Sequence, residues 1–287
     1  MLLNKILVPL DGSELAARTL VHACRLLHAP GSMVTLLRVV PRVEELEAAA
    51  LVLEELRERL AADGIPATSR VAVGEPAKRI AQIAEESGAS LIALSTHGAS
   101  GVMRALRGSV AEEVLSIAPT PVLLANPFAL RETEELPIRK IVVALDGSRR
   151  SARALPIAAE IARLYGAELV LLHVVDLSWC HYPEVARPHE IVQAEECLAR
   201  ELEHLDVRAR SRVVEGPAAE KILEAVETEQ ADLLALASHG RSGVARWYYG
   251  SVAEPVVRKA SCPILVVRSA AEAPVRPPVA KPIAAHA

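Results

Sequence analysis

Glycines and aspartates at repeated offsets are the residues of this chain best placed to do chemistry. One string runs Ser95-Thr96-His97-Gly98-Ala99-Ser100-Gly101-Val102 and reaches Gly108-Ser109-Val110. A second runs Ala237-Ser238-His239-Gly240-Arg241-Ser242-Gly243-Val244 and reaches Gly250-Ser251-Val252. In each, nine residues separate the His-Gly glycine from the Gly-Ser pair. Glycine lets backbone N–H groups close on phosphate oxygens with no Cβ in the way. The Gly-Ser pair is expected to open a helix at Ser109 or Ser251, whose first amides are unsatisfied and partly positive. Either serine can cap that helix or bond a phosphate. Asp11 and Asp146 stand in two matching Leu-Asp-Gly-Ser turns, 135 positions apart. Their carboxylates can accept from a ribose hydroxyl or an adenine amine, or hold their own turns. His97 and His239 suit packing beneath the glycine loop through a hydrogen bond better than catalysis. Arg241, directly after Gly240, can neutralise phosphate.

The elements around these residues also occur twice. Each copy opens on an aliphatic strand, the run from Lys5 to Leu10 or from Lys140 to Leu145, ended by Asp-Gly-Ser. Helical periodicity follows at 15–27 and 152–165, then strands at 33–40 and 168–175. Amphipathic helices at 44–62 and 190–205 lead to third strands near 70–73 and 212–214. Helices at 77–87 and 218–229 precede fourth strands at 90–94 and 232–236, and the glycine strings come next. Last strands at 121–124 and 263–267 close the copies. Strands without strict in-out alternation, separated by helices, predict parallel sheets covered on both faces. The expected fold is α/β: two tandem doubly wound parallel five-stranded sheets, Rossmann-like, with strand order 3-2-1-4-5. The expected units are 1–126 and 139–268, with a linker at 127–138 and a disordered tail at 269–287. The aliphatic last strands of the two copies are the expected seam between them. In such sheets a ligand sits beyond the carboxyl ends of the strands, where strand order reverses. That places the aspartate and the glycine string of each copy around one crevice.

Composition narrows the function classes. The 287 residues carry a formal charge of −4, which offers no electrostatic case for nucleic acid. No apolar run reaches the length of a membrane span, and the N-terminus reads as a strand and not as a leader. Four cysteines without a CxxC pair suit reduced thiols and a cytoplasmic location. The second copy carries about seven extra residues within 176–190, where Trp179, Cys180, His181, Tyr182 and His189 precede Cys197 and His204. Their spacing does not match paired zinc ligands, and a lid over the second crevice is the expectation preferred to a metal site.

The glycine strings, the opening Val8-Pro9-Leu10-Asp11-Gly12-Ser13 and the Val-Val ends of the second strands (Val39-Val40, Val174-Val175) resemble the universal stress protein family. The resemblance runs from residue 4 to 268 and fits a tandem two-domain member of the ATP-binding type. Its nucleotide motif is Gly, two residues, Gly, nine residues, Gly-Ser/Thr. This chain departs at the first glycine, replaced by Ser95 and Ala237, where a backbone with φ > 0 would be strained. The resemblance implies an adenine and ribose site at Pro9, Leu10, Asp11 and Val40, and at Ala144, Leu145, Asp146 and Val175. It implies phosphate contacts at Gly98, Gly101, Gly108, Ser109 and Val110, and at Gly240, Gly243, Gly250, Ser251 and Val252. The expected function is ATP binding, with Mg²⁺ alongside the phosphates, in a stress-response regulator that signals to a protein partner. The chain would be an internal pseudo-dimer or a further homodimer. Slow ATP hydrolysis and a nucleotide-free adaptor are the alternatives.

Overall fold

The computed structural model describes residues 3–27, 31–95, 109–125, 137–178, 180, 182–238 and 251–268. The first half runs β1 (Lys5–Pro9), α1 (Glu14–Arg25), β2 (Met33–Val40), α2 (Leu46–Ala62), β3 (Ala67–Val73), α3 (Pro76–Ser87), β4 (Leu91–Ser95), α4 (Ser109–Ile117) and β5 (Val122–Ala125). The second half repeats it as β6 (Lys140–Leu145), α5 (Leu155–Tyr165), β7 (Glu168–Val175), α6 (Pro183–Glu203), β8 (Ala209–Glu215), α7 (Ala218–Glu229), β9 (Leu233–Ala237), α8 (Ala253–Lys259) and β10 (Ile264–Val267).

The strand order is β3-β2-β1-β4-β5-β10-β9-β6-β7-β8. Each half has the expected 3-2-1-4-5 order, and all pairings within a half are parallel. The two five-stranded sheets join edge to edge into one of ten strands. The joint is the antiparallel pair β5–β10, with Ile264 opposite Leu124 and Val266 opposite Val122. The aliphatic last strands are therefore the seam.

Every residue of β5 and β10 is buried, because helices cover both faces of the sheet. One layer packs Leu20 and Ala23 of α1, Leu26 just after it, Leu53 of α2 and Ile161 of α5 on alternate strand residues such as Val8, Leu36 and Leu265. The opposite layer packs Ile83 of α3, Val114 of α4, Ile222 of α7 and Val256 of α8 on the intervening ones, Leu7, Leu37 and Leu234. Leu7 and Val8, adjacent in sequence, are both fully buried, which is why these strands read as continuous apolar runs.

Two helix starts near the site differ from expectation. α6 begins at Pro183 and not near 190, so most of the inserted stretch becomes its first two turns. Pro183 suits that start, since its missing N–H is one the first turn leaves unbonded. Pro188 lies inside the helix and, lacking an N–H, masks the continuity in sequence. No lid stands there among the described residues. α8 begins at Ala253, with Val252 at the cap position and no side-chain cap bond, so Ser251 belongs to the preceding turn. Among the described residues, no helix is long and apolar enough to cross a membrane.

Candidate functional site

In the second half, β6 ends in the Asp146 turn. Asp146 Oδ1 accepts the Ser148 N–H at 3.0 Å, an Asx turn that the Asp-Gly-Ser sequence favours. Ser151 ties the turn to the following helical segment: it takes the Asp146 N–H on its Oγ at 3.2 Å and donates to the Ser148 carbonyl at 2.9 Å. The first half builds the same turn, with Asp11 Oδ1 accepting the N–H and the hydroxyl of Ser13 at 2.9 and 2.6 Å. Both aspartates thus serve their own turns through one oxygen.

Beyond the carboxyl ends of β6, β7 and β9 lies a cavity of about 260 Å³. Its rim carries Ala144, Leu145, Asp146, Ser251 and Val252, contributed by two segments more than a hundred residues apart in sequence. These five are the second-half candidates that come together. Sequence reasoning missed much of the wall, including Leu172 and Val174 of β7, Ala218 and Ile222 of α7, Leu236 of β9, and Ser151. Ser151 had a findable signal in its spacing from the Asp-Gly-Ser turn. Val175 does not line the cavity; it is 4% exposed, and its carbonyl accepts the Gly216 N–H at 3.1 Å.

The first-half candidates divide between the two sides of the sheet. Pro9 ends β1 on the side of Leu7. Leu10 and Val40 instead line a cavity of about 480 Å³ whose far wall is α2. Asp11 is exposed beside it. Ser109 starts α4, and Val110 packs against the α3–α4 layer. His97, Gly98, Gly101, Gly108, His239, Gly240, Arg241, Gly243 and Gly250 lie outside the described residues.

Ser95 and Ala237, which stand at the motif's first glycine, are the last residues of β4 and β9. Among the described residues Gln230 alone of the non-glycines has a positive φ. The strain expected at 95 and 237 does not arise, because both positions have extended backbone that any residue adopts.

Among the described residues, no group of three or more His, Cys, Asp or Glu could hold a metal ion. His181, one of the inserted residues considered for a metal, lies outside them. The second cavity has the chemistry an adenine nucleotide would need: aliphatic walls for a base, with the Asp146 carboxylate and Ser251 in its lining.

These features define a duplicated, doubly wound α/β protein with a crevice at the switch point of its second half. The universal stress protein family model matches the chain twice, over residues 3–126 and 137–268. The chain belongs to the universal stress protein family. It is 34% identical over 149 residues to universal stress protein MJ0531 of Methanocaldococcus jannaschii, covering 48% of this chain and 86% of that protein. It is 27% identical over 208 residues to universal stress protein Rv2005c of Mycobacterium tuberculosis, covering 70% and 68%. The crystal structure of a universal stress protein from Archaeoglobus fulgidus superposes with a TM-score of 0.69 at 24% identity, covering 92% of this chain and 96% of that one.

Proposed function

We infer that this protein is an adenine-nucleotide-binding regulator of the stress response, with ATP as the ligand and the second-half crevice as its principal site. The observation that carries this reading is the convergence of Ala144, Leu145, Asp146, Ser251 and Val252 on one apolar cavity at the strand carboxyl ends. In this reading the base lies on Leu172, Val174 and Ile222, away from water. Asp146, in the cavity lining, accepts from ribose hydroxyls, and the phosphates extend past Ser251 to Gly240, Arg241, Gly243 and Gly250, with His239 supporting that loop. Mg²⁺ would come with the phosphates, held mainly by them. Nucleotide binding orders the glycine segment and so alters a surface that a protein partner reads in the cytoplasm. The first half would offer the corresponding contacts at Pro9, Asp11, Gly98, Gly101, Gly108, Ser109 and Val110.

Isothermal titration of the intact chain with ATP tests this. The expected result is saturable binding that Ala144→Trp, which fills the second cavity, reduces by about tenfold or more. Absence of binding at millimolar ATP would sink the proposal.

A further inference from the structure

The cavity beneath α2 is a different kind of site from the nucleotide crevice. It holds about 480 Å³, within the size range that takes a small organic ligand. Its apolar walls include Leu10, Val40, Val52, Leu53 and Leu56 with two alanines, and among the described residues no aromatic side chain lines it. It lies on the α1–α2 side of the sheet, where Leu10 and Leu53 pack. The second-half crevice opens on the other layer, where Leu172, Ile222 and Leu236 pack.

Among the described residues, four charged ones line it: Arg38, Arg59, Glu45 and Glu55. Glu45 is neutralised from outside the cavity by Arg42, at 3.0 Å. Arg38 and Arg59 have no carboxylate partner among the described residues. The half-buried Arg38 makes one hydrogen bond, donating from Nη1 to the Leu10 carbonyl at 3.3 Å. A guanidinium has five N–H donors in a planar fork, so most of this one can receive a carboxylate in two-point fashion. A cation half-withdrawn from water without a counter-ion is costly, and an anionic ligand would offset that cost. The duplication sharpens the point. The position equivalent to Arg38 in the second half is His173, 6% exposed, so this cation belongs to one half alone.

We propose that the first half binds a small aliphatic monocarboxylate in this cavity, its carboxylate on Arg38 and its chain against Leu10, Val40, Leu53 and Leu56. The aliphatic lining favours a saturated chain over a nucleobase, which would look for aromatic stacking or edge-on polar partners. Arg59 adds a second positive charge to the lining, against one unneutralised carboxylate, Glu55, among the described residues.

Titration of the full chain with octanoate, octanol and octylamine, followed by calorimetry, tests the assignment. The proposal expects saturable one-to-one binding of octanoate, weaker binding of the alcohol and none of the amine. Arg38→Met should weaken octanoate by about tenfold or more, and saturating ATP should leave its affinity unchanged. Ala49→Phe, which fills the cavity while leaving Arg38 in place, should abolish binding and serves if the Arg38 variant folds poorly. Octanoate failing to bind at millimolar concentration overturns the proposal. So does octanol binding as tightly, Ala49→Phe binding unchanged, or ATP displacing octanoate.

Discussion

One carboxylate oxygen of Asp146 holds a turn while the residue lines the crevice, so the two roles can be separated by substitution. Asp146→Asn keeps an oxygen for the Ser148 N–H but loses the charge that strengthens bonds to ribose hydroxyls. ATP affinity should fall several-fold with the denaturation midpoint unchanged. Asp146→Ala should lose both, with stability down by about 1 kcal/mol; titration and urea unfolding read the two effects. His22 offers a pH test independent of any ligand. It is 7% exposed on α1, its Nδ1 has no partner among the described residues, and the repeat places Ile157 at its equivalent. Burial, reinforced by Arg25, lowers its pKa to about 4. The native state holds it neutral while the unfolded chain protonates below about 6.5. Its contribution is therefore intact above that pH and declines as pH falls toward 4. His22→Leu should be more stable than the wild type by about 2 kcal/mol at pH 5 relative to the difference at pH 7. Urea midpoints of both proteins at the two pH values check this.

At the scale of elements, the sequence signals worked best where chemistry is local. β2 and β7 have the expected limits because Gly31 or Gly166 lies just before each strand and a change to polar or proline-containing sequence follows. The Asp-Gly-Ser turns were legible for the same reason. The floor of the crevice was not. Leu172 and Val174 face one layer and Leu171 the other, yet Leu171 and Leu172 are equally buried, so no polar alternation reveals which set meets the ligand. The split of Leu10 and Val40 from Pro9 was hidden in the same way. The repeat also exposes an imperfect helix end. α3 terminates on Gly88 at φ 63°, whereas α7 terminates on Gln230 at φ 52°. A side chain in the left-handed region costs about 1–2 kcal/mol, partly offset by the greater freedom of glycine when unfolded. Gln230→Gly should therefore raise stability by about 0.5–1 kcal/mol, seen as a higher thermal midpoint.

At the scale of the molecule, the two halves depend on one another at the seam. Alone, each would present an aliphatic edge strand, an invitation to pair with any other strand. α1 of the first half and α5 of the second pack into one core layer. Burial pushes the Tyr165 hydroxyl of α5 up to about 12, partly countered by the field of Arg25 from α1. The repeat puts Pro30 at the position of Tyr165 and Glu160 at that of Arg25, so a half paired with a copy of itself would not reproduce this contact. Residues 1–126 and 127–287, produced as separate chains in one cell, should therefore associate one to one. Light scattering that found only homodimers of each would contradict this.

The antiparallel sense of β5 and β10 has a consequence for valency. Strands of the first half run toward one edge of the shared sheet and strands of the second toward the opposite edge. The carboxyl ends that frame the two switch points therefore point away from each other. A ligand at one end would not shadow the other, and the two ends differ in sequence.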